Sequence, residues 1–203
     1  MLVELKPTKH LSAEEFWRDA PEDRKAELID GAMSMPSPAV TTHERLLRFL
    51  YRLLNDYVEE HDLGEVLGSR TAVELAPDQV YEPDILFVAK QSAAIVLEKG
   101  IVGAPELVIE ILSRSTAHLD RGPKLRGYER AGVREVWLVH THGLAGTRFY
   151  QREGAVLKPV LPGADNRIYS AAIPGFWIDV RWLWPDDQFI RVREALAAIS
   201  GAV

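Results

Sequence analysis

The segment Leu107-Val108-Ile109-Glu110-Ile111-Leu112 is an apolar run with one carboxylate inside it. Apolar runs of this kind are typical of central strands that are covered on both faces of a sheet. Ile85–Ala89 and Glu135–His140 have a similar character, so the sequence predicts a sheet core built on three such strands. A buried carboxylate is costly unless it is paired or holds a cation. Glu110 therefore has two interpretations: a structural residue, at an exposed strand end or paired with an arginine, or a functional carboxylate.

The elements around these strands follow from local signals. Ser12-Ala13-Glu14-Glu15 has the pattern of a capping box and predicts a short helix that runs to about Ala20. Asp30-Gly31 between two apolar runs predicts a tight β-hairpin. Apolar residues recur at helical spacing from Thr41 until Gly64, which predicts a long amphipathic helix. Gly122-Pro123 predicts the start of a further helix, which runs through Ala131 until Gly132 stops it.

Strands that alternate with helices indicate the fold class. Further strands are predicted over Glu65–Leu75, Thr147–Tyr150, Val156–Leu161 and Trp177–Trp184, followed by a helical tail from Gln188 onward. The grouping of the strands, with a long helix before them and a short helix inserted, indicates an α/β protein with a mixed sheet flanked by helices. The length of 203 residues predicts a single domain over residues 1–203. The sequence contains no glycine-rich phosphate loop, G-x-S-x-G elbow or H-E-x-x-H helix, so it gives no support to the functions those motifs carry.

Composition excludes several kinds of chemistry. The chain has no cysteine, which rules out disulfides, cysteine-ligated zinc, iron–sulfur clusters and a thiolate nucleophile. Its net charge of −6 is a poor fit to a protein that coats nucleic acid non-specifically. Residues 114–134 nevertheless hold six Lys and Arg against two acids, and this basic strip is either a solvated helix face or a local contact with DNA. No apolar run approaches the ~18 residues of a membrane span, and Met1–Glu4 lacks the order of a signal peptide, so we expect a soluble cytoplasmic protein.

Four further residues are candidates for a functional site, and each also has a structural interpretation. Asp84 follows a proline and directly precedes an apolar strand, although Pro-Asp pairs are common in turns. Lys124 lies in the first turn of the predicted helix, where the macrodipole disfavours a cation by up to ~1 kcal/mol, so it either serves an anionic group or is solvated. Glu27 is either an acid near a metal or a strand residue paired with Lys25 or an arginine. His43 is either a site residue or a capping or surface histidine near a helix start.

Six motifs, taken in their order along the chain, resemble a known family. They are Glu27-Leu28-Ile29-Asp30-Gly31 together with His43, Pro83-Asp84, the run from Pro105 to Ser113, Asp120-x-x-x-Lys124-x-x-x-Tyr128, the run from Gly132 to Val139, and Ile173-Pro174-Gly175-Phe176. In this order the chain resembles the Uma2 family of restriction endonucleases, a branch of the PD-(D/E)XK nuclease superfamily. The resemblance covers about Ser12 to Trp184 and implies a restriction-endonuclease-like fold over that core.

The resemblance also implies a reaction and a set of site residues. It implies hydrolysis of phosphodiester bonds with Mg²⁺, or with Mn²⁺ in its place. Asp84 and Glu110 are the implied metal ligands, with the main-chain carbonyl of Ile111 as a third, because two carboxylates and a carbonyl can hold a Mg²⁺ that keeps several waters. Lys124 is the implied catalytic cation. Glu27 and His43 are carried over as further site residues.

The sequence departs from the superfamily pattern at three positions. Leu112 stands two residues after Glu110, where the catalytic lysine usually stands, so the cation moves to Lys124 on the following helix. His140 stands where relatives carry an aspartate, and Arg114 replaces a proline. None of these changes affects the implied metal ligands.

The sequence therefore predicts a Mg²⁺-dependent endonuclease that acts on DNA. A homodimer is expected as well, because a nuclease that cuts both strands usually needs two copies of its site. Two alternatives stay open at this point. One is a non-catalytic nucleic-acid or protein-interaction module that keeps the fold, since fold alone does not fix function. The other is a metal-dependent hydrolase of a different phosphate ester.

Overall fold

The computed structural model describes residues 10–21 and 23–201 of the chain. The expectation made for Met1–Glu4 lies outside these residues. The helices are α1 (Ala13–Asp19), α2 (Thr41–Glu60), α3 (Ala117–Leu119), α4 (Leu125–Ala131) and α5 (Val192–Ile199), with a π-helical turn, Asp120–Lys124, between α3 and α4. The strands are β1 (Glu27–Ile29), β2 (Ala32–Ser34), β3 (Gly64–Gly68), β4 (Val73–Ala76), β5 (Gln79–Tyr81), β6 (Ile85–Ala89), β7 (Val96–Leu97), β8 (Gly100–Val102), β9 (Leu107–Leu112), β10 (Glu135–His140), β11 (Arg148–Glu153), β12 (Val156–Val160), β13 (Arg167–Tyr169) and β14 (Trp177–Asp179).

Within the described residues the strands form two six-stranded sheets and one two-stranded ribbon. The first sheet has the order β2-β1-β5-β4-β8-β7, and the second has the order β12-β11-β10-β9-β6-β3. In the second sheet β9 and β10 run parallel, whereas β6 pairs with β9 in the antiparallel sense. The predicted α/β class with a mixed sheet flanked by helices is therefore confirmed. No helix in this part of the chain has the length and the apolar character needed to cross a bilayer.

The strand at the centre of the second sheet separates two cores. Leu107, Ile109 and Ile111 point to one face, where they pack in the cluster that contains the buried side of α2. Val108 and Leu112 point to the other face, where they pack with residues of the helical segment 117–131. Because successive side chains of a strand alternate between faces, Glu110 lies on the same face as that helical segment. The segment 117–131, which comprises α3, the π-helical turn and α4, is called the site helix below.

The local signals at the N-terminal end of the chain are confirmed. Ser12 caps α1, and both hydrogen bonds of the capping box with Glu15 are present. Asp30 and Gly31 have φ angles of 47° and 74°, as the two central residues of a type I′ hairpin require. The long helix α2 begins at Thr41 as predicted and buries its leucine stripe.

Three predicted boundaries were wrong. The stretch Glu65–Leu75 is not one strand, because it turns after Gly68 and its two halves belong to different sheets. The stretch Trp177–Trp184 is a short strand followed by a 3₁₀ turn over Val180–Leu183. The site helix begins at Ala117 rather than at Gly122, so Pro123 lies inside it. A proline there removes one backbone donor and crowds the carbonyl one turn earlier, and the helix accommodates it by widening into a π turn.

The link between the two sheets is three residues long. Strand β5 ends at Tyr81 in the first sheet, and β6 begins at Ile85 in the second. Glu82, Pro83 and Asp84 therefore lie where the chain crosses from one sheet to the other. Proline cannot donate to a β ladder, which helps to end the first sheet at this point.

A buried glutamate at the start of β10 has a purely structural environment. Glu135 is fully buried and accepts hydrogen bonds from Trp137 Nε1 at 2.8 Å, Ser170 Oγ at 2.6 Å and the backbone N–H of Ala172 at 2.9 Å. Gln151 Nε2 approaches the same carboxylate at 3.3 Å. These uncharged donors tie the loop before the Ile173-Pro174-Gly175-Phe176 motif to the sheet.

Gly127 sets how closely the site helix approaches the first sheet. A Cβ at this position would overlap the hydroxyl of Tyr81 and lie 2.9 Å from Gln79 Oε1. We expect Gly127→Ala to lower the free energy of unfolding by ~1–3 kcal/mol in urea titrations, because an added methyl group must displace packed strand residues. Gly122→Ala in the same helix is the control, since its nearest heavy atom is a side-chain nitrogen at 3.9 Å. That variant should change stability much less than Gly127→Ala, because the helix preference of alanine, ~1 kcal/mol over glycine, works against the steric restriction on a residue that precedes proline. Equal effects of the two changes would contradict a packing role for Gly127.

Candidate active site

Two buried carboxylates lie where β6 and β9 meet. The ladder ends where Ile85 pairs with Ile109, so Asp84 directly precedes the paired part of β6 and Glu110 directly follows the paired part of β9. The contact of Asp84 with the backbone N–H of Ile111 keeps it beside this part of β9. Both carboxylates are also buried. A pair of buried carboxylates in this arrangement needs positive charge or donors close by.

Asp84 receives its donors from three separate parts of the chain. Its Oδ2 accepts the backbone N–H of Ile111 at 2.8 Å and lies 3.1 Å from His43 Nε2. Its Oδ1 lies 3.5 Å from the ammonium of Lys25. Burial alone raises the pKa of Asp84, but the charge of Lys25 and the hydrogen bonds from His43 and Ile111 outweigh it and hold that pKa well below its ordinary value.

Lys124 lies at the centre of a cluster of three carboxylates. Its Nζ is 2.6 Å from Glu110 Oε1, 2.7 Å from Glu27 Oε1 and 3.2 Å from Asp120 Oδ1. Tyr128 donates its hydroxyl to the same Oε1 of Glu110 at 2.5 Å. The Lys124 side chain is only 2% exposed, yet the neighbouring carboxylates keep its pKa well above the ordinary value against the effect of burial. We call Lys124 and its three carboxylate partners the lysine cluster.

The place of Lys124 corrects two expectations from the sequence. Because the site helix begins at Ala117, Lys124 is in the middle of the helix and not in its first turn. The macrodipole therefore does not account for its environment, and the three carboxylates do. Lys124 is also not a solvated surface residue. The spacing of four residues brings Asp120, Lys124 and Tyr128 to one face of the helix, as predicted. Lys124 and Tyr128 contact Glu110, and Asp120 contacts Lys124.

The carboxylates of the site respond differently to burial. Burial raises the pKa of Glu110 to about 8, and the charge of Asp120 adds to this rise although Lys124 opposes it. Burial also raises the pKa of Asp120. The pKa of Glu27 is lowered instead, because Lys124, Lys25 and the backbone N–H of Glu82 together outweigh its burial. The ammonium groups thus neutralise part of the cluster and leave the rest short of positive charge.

The carboxylates of the site are the residues that could hold a hard divalent cation. Five carboxylates, Glu27, Glu82, Asp84, Glu110 and Asp120, surround two ammonium groups, Lys25 and Lys124. Glu82 Oε2 is buried without a hydrogen-bond partner in the described residues. No group of three or more His, Cys, Asp or Glu within residues 10–21 and 23–201 has the arrangement of a metal cage. One or two of these carboxylates would be enough for Mg²⁺, which is commonly held by one or two carboxylates and keeps waters for its other positions.

Of the residues named from the sequence, Asp84, Glu110, Lys124, Glu27 and His43 all come together here. Ile111 lies beside them through its backbone contact with Asp84. The sequence predicts Lys25 only as a partner for Glu27, whereas the structure also places it beside Asp84. Lys25 precedes Glu27 by two residues, which is the spacing that places two side chains on one face of an extended segment. This two-residue spacing is the feature of the sequence that could have predicted Lys25 as a site residue.

The basic strip 114–134 is less uniform than its sequence indicates. Lys124 is buried in the lysine cluster, and Arg130 lies 3.4 Å from Asp30 Oδ1. Arg121 donates to the carbonyl of Gly146 at 2.6 Å. Arg114, Arg126 and Arg134 are exposed. Arg121 and Arg130 are exposed as well, so the strip has five exposed arginines, two of which already contact Gly146 or Asp30.

Comparison with known proteins identifies the family. Residues 13–181 match the family model Uma2, described as "Putative restriction endonuclease". The chain belongs to the Uma2 family. A curated relative, "Uncharacterized protein sll1609" of Synechocystis sp. (strain ATCC 27184 / PCC 6803 / Kazusa), is 27% identical over 149 residues, which cover 72% of this chain and 84% of the relative. The predicted family resemblance is thus confirmed.

A solved structure shares the fold of this Uma2 protein. It is the crystal structure of a "putative nuclease belonging to DUF820" from Anabaena variabilis ATCC 29413, with a TM-score of 0.62 and 14% sequence identity. The match covers 93% of this chain and 99% of the other. At this level of identity the likeness concerns the fold, which is that of a protein described as a nuclease.

The shortage of positive charge in the site predicts how stability depends on pH. Burial raises the pKa of Glu110 to about 8, whereas the ordinary pKa of an unfolded glutamate is 4.5. The free energy of unfolding of the metal-free protein should therefore fall between these two values, by a few kcal/mol at about 1.4 kcal/mol per pKa unit. Urea titrations in EDTA at several pH values measure this slope. Glu110→Gln cannot titrate and should reduce the slope, while Asp120, whose pKa burial also raises, keeps part of it. An unchanged slope in that variant would contradict the assignment.

Proposed function

We propose that this Uma2 protein is a Mg²⁺-dependent endonuclease that hydrolyses phosphodiester bonds in DNA. The observation that carries the proposal is the group of buried carboxyl side chains around Asp84 and Glu110, which outnumber the two lysines, Lys25 and Lys124, that contact them. The family and the shared fold support the choice of a nuclease. The alternative of a scaffold without a metal site does not explain why so many carboxylates are buried together.

The proposed metal ligands are Asp84, Glu110 and the main-chain carbonyl of Ile111. Held by these groups, Mg²⁺, or Mn²⁺ in its place, would supply an activated water and would neutralise charge that builds up on the scissile phosphate. His43 and the N–H of Ile111 both contact Oδ2 of Asp84, so they orient this carboxylate and leave Oδ1 facing Lys25. Tyr128 orients Glu110 in the same way through its hydroxyl.

The two lysines take different parts in the proposal. Lys124 is held against Glu110, and in the proposal its ammonium stabilises the negative charge that develops during hydrolysis. Glu27 and Asp120 hold that ammonium in place. The Lys25 side chain is 25% exposed and lies 3.5 Å from Asp84 Oδ1, so it is the ammonium that an incoming phosphate reaches from solvent. Cleavage of both strands needs two copies of the site, and a homodimer is part of the proposal for that reason.

Metal binding gives the first test of this function. Asp84→Asn or Glu110→Gln should abolish the heat of Mg²⁺ or Mn²⁺ binding in calorimetric titrations, because each variant leaves one carboxylate on the pair. Glu135→Gln is the matched control, since Glu135 is an equally buried glutamate that accepts only uncharged donors. It should bind the metal as the wild type does. Metal binding that survives the loss of both Asp84 and Glu110 would place the metal elsewhere.

Variants of the two lysines test the chemistry. Lys124→Ala should keep metal binding but lower turnover on DNA by roughly 100-fold, the usual scale for losing one positioned proton-transfer or charge-stabilising group. Lys124→Arg should not restore it, because the larger planar guanidinium does not fit the buried position of an ammonium that contacts three carboxylates. Lys25→Ala should also slow cleavage, whereas Lys25→Arg should recover most of it, since a contact with phosphate needs only a cation. Full activity of Lys124→Ala would remove Lys124 from the mechanism.

The stability of each lysine variant must be measured beside its activity. Lys124→Ala leaves three buried carboxylates without their cation, which costs about 3–5 kcal/mol in comparable buried pairs. Turnover is therefore compared at a temperature where urea titration shows the variant folded. Lys25 is partly exposed, so its removal should change stability much less.

A further inference from the structure

A groove rich in arginine lies between α2 and the segment that enters α5. It has a volume of about 420 Å³ and is lined by Arg45, Arg48 and Arg52 on one wall and by Arg191 and Arg193 on the other. Phe49 and Phe189 stack at its base with ring centroids 5.0 Å apart. The five arginines define what we call the arginine groove. All five side chains belong to exposed residues.

The arrangement on α2 gives the groove a direction. Arg45, Arg48 and Arg52 are spaced by three and four residues, so they form one row along the helix. The row covers about 10 Å at 1.5 Å per residue. His43, which contacts Asp84, points from the opposite side of the same helix, because two residues turn an α-helix by more than half a circle. The arginine groove and the candidate active site are therefore separate surfaces carried by one helix.

The charge in the groove is not neutralised by the protein. Arg45, Arg48, Arg52 and Arg193 form no side-chain ion pair or hydrogen bond with any other described residue. Arg191 has a single contact, 3.4 Å to Glu194. This concentration of unpaired cations occurs on a chain whose net charge is −6, so the average composition does not account for it. Its repulsion would be relieved by a bound polyanion.

We propose that the arginine groove binds the phosphate backbone of DNA at a distance from the candidate active site. A guanidinium presents a planar fork of donors that matches phosphate oxygens in pairs. A row of about 10 Å is long enough to contact successive phosphates of one strand. The two phenylalanine rings are packed against one another and do not offer a face to a base, so the contact is independent of base sequence. The choice of DNA as the polyanion rests on the proposed function.

Salt dependence of DNA binding tests this proposal directly. The full chain is titrated into a short fluorescein-labelled DNA duplex in EDTA, and anisotropy is followed from about 50 to 200 mM salt. Arg48→Ala/Arg52→Ala should weaken binding by about tenfold to a hundredfold near 0.1 M salt and reduce the slope of log K against log salt by about 1.8, which corresponds to two lost phosphate contacts. Arg191→Ala/Arg193→Ala on the opposite wall should weaken binding as well.

The control carries the same change in charge elsewhere. Arg18→Ala/Arg148→Ala removes two exposed arginines that already contact Asp19 or backbone carbonyls, and it should leave the slope close to that of the wild type. Equal slopes for the control and both groove variants would overturn the proposal, since the effect would then be one of net charge. Failure of the wild type to bind DNA would overturn it too. Tighter binding of a polyglutamate peptide than of DNA would also overturn it. The same holds if sedimentation shows a dimer of this chain whose formation requires the groove arginines.

Binding in EDTA separates this proposal from the proposed function. A groove variant that loses DNA binding while no conditions produce cleavage would support the arginine groove and count against the nuclease. If the wild type cleaves DNA and the groove variants bind DNA as the wild type does, the nuclease is supported and the arginine groove is contradicted. Thermal unfolding of each variant should match the wild type, because the substituted side chains are exposed.

Discussion

The ion pairs of Lys124 are the interaction on which the rest of the site depends. This one ammonium joins Glu27 of the first sheet, Glu110 of the second sheet and Asp120 of the site helix. Three elements that are far apart in the chain are thereby fixed at one point. Breaking a buried pair of this kind commonly costs about 3–5 kcal/mol, because an unpaired charge remains inside the protein. The same ammonium and the hydroxyl of Tyr128 hold Glu110 in a single orientation.

The cluster is nevertheless incompletely neutralised, and this distinguishes it from the other buried glutamate of the sheet. Glu135 accepts several uncharged donors and has a structural role. Glu110 shares one ammonium with two other carboxylates, and burial raises its pKa to about 8. A protein selected only for stability has no use for this arrangement, whereas sites that bind metals or transfer protons commonly contain such perturbed groups. The contrast explains why a functional role is assigned to one buried glutamate and not to the other.

The long helix α2 connects the site to the proposed DNA contact. Its apolar face packs on the central strands, its first turn supplies His43 to Asp84, and its outer face carries a row of arginines. A negatively charged protein can hold DNA in this way, since its few unpaired cations are concentrated on limited surfaces. The exposed arginines of the basic strip 114–134 lie on a separate part of the chain and add to the positive charge that could contact DNA. Local concentration of charge thus compensates for an unfavourable net charge.

The sequence by itself determined the elements whose signals are local. Strands β6, β9 and β10 were predicted to the residue, because an apolar run covered on both faces has clear ends. The Asp30-Gly31 hairpin and the start of α2 followed from turn chemistry and helical periodicity. Only the tertiary structure decided the environment of Lys124, whose partner Glu27 lies 97 residues away, and the approach of Lys25 to Asp84 across 59 residues. It also decided the π turn at Pro123 and the division of Glu65–Leu75 between two sheets. Contacts of this range depend on how sheets and helices pack, and no local pattern of residues specifies that packing.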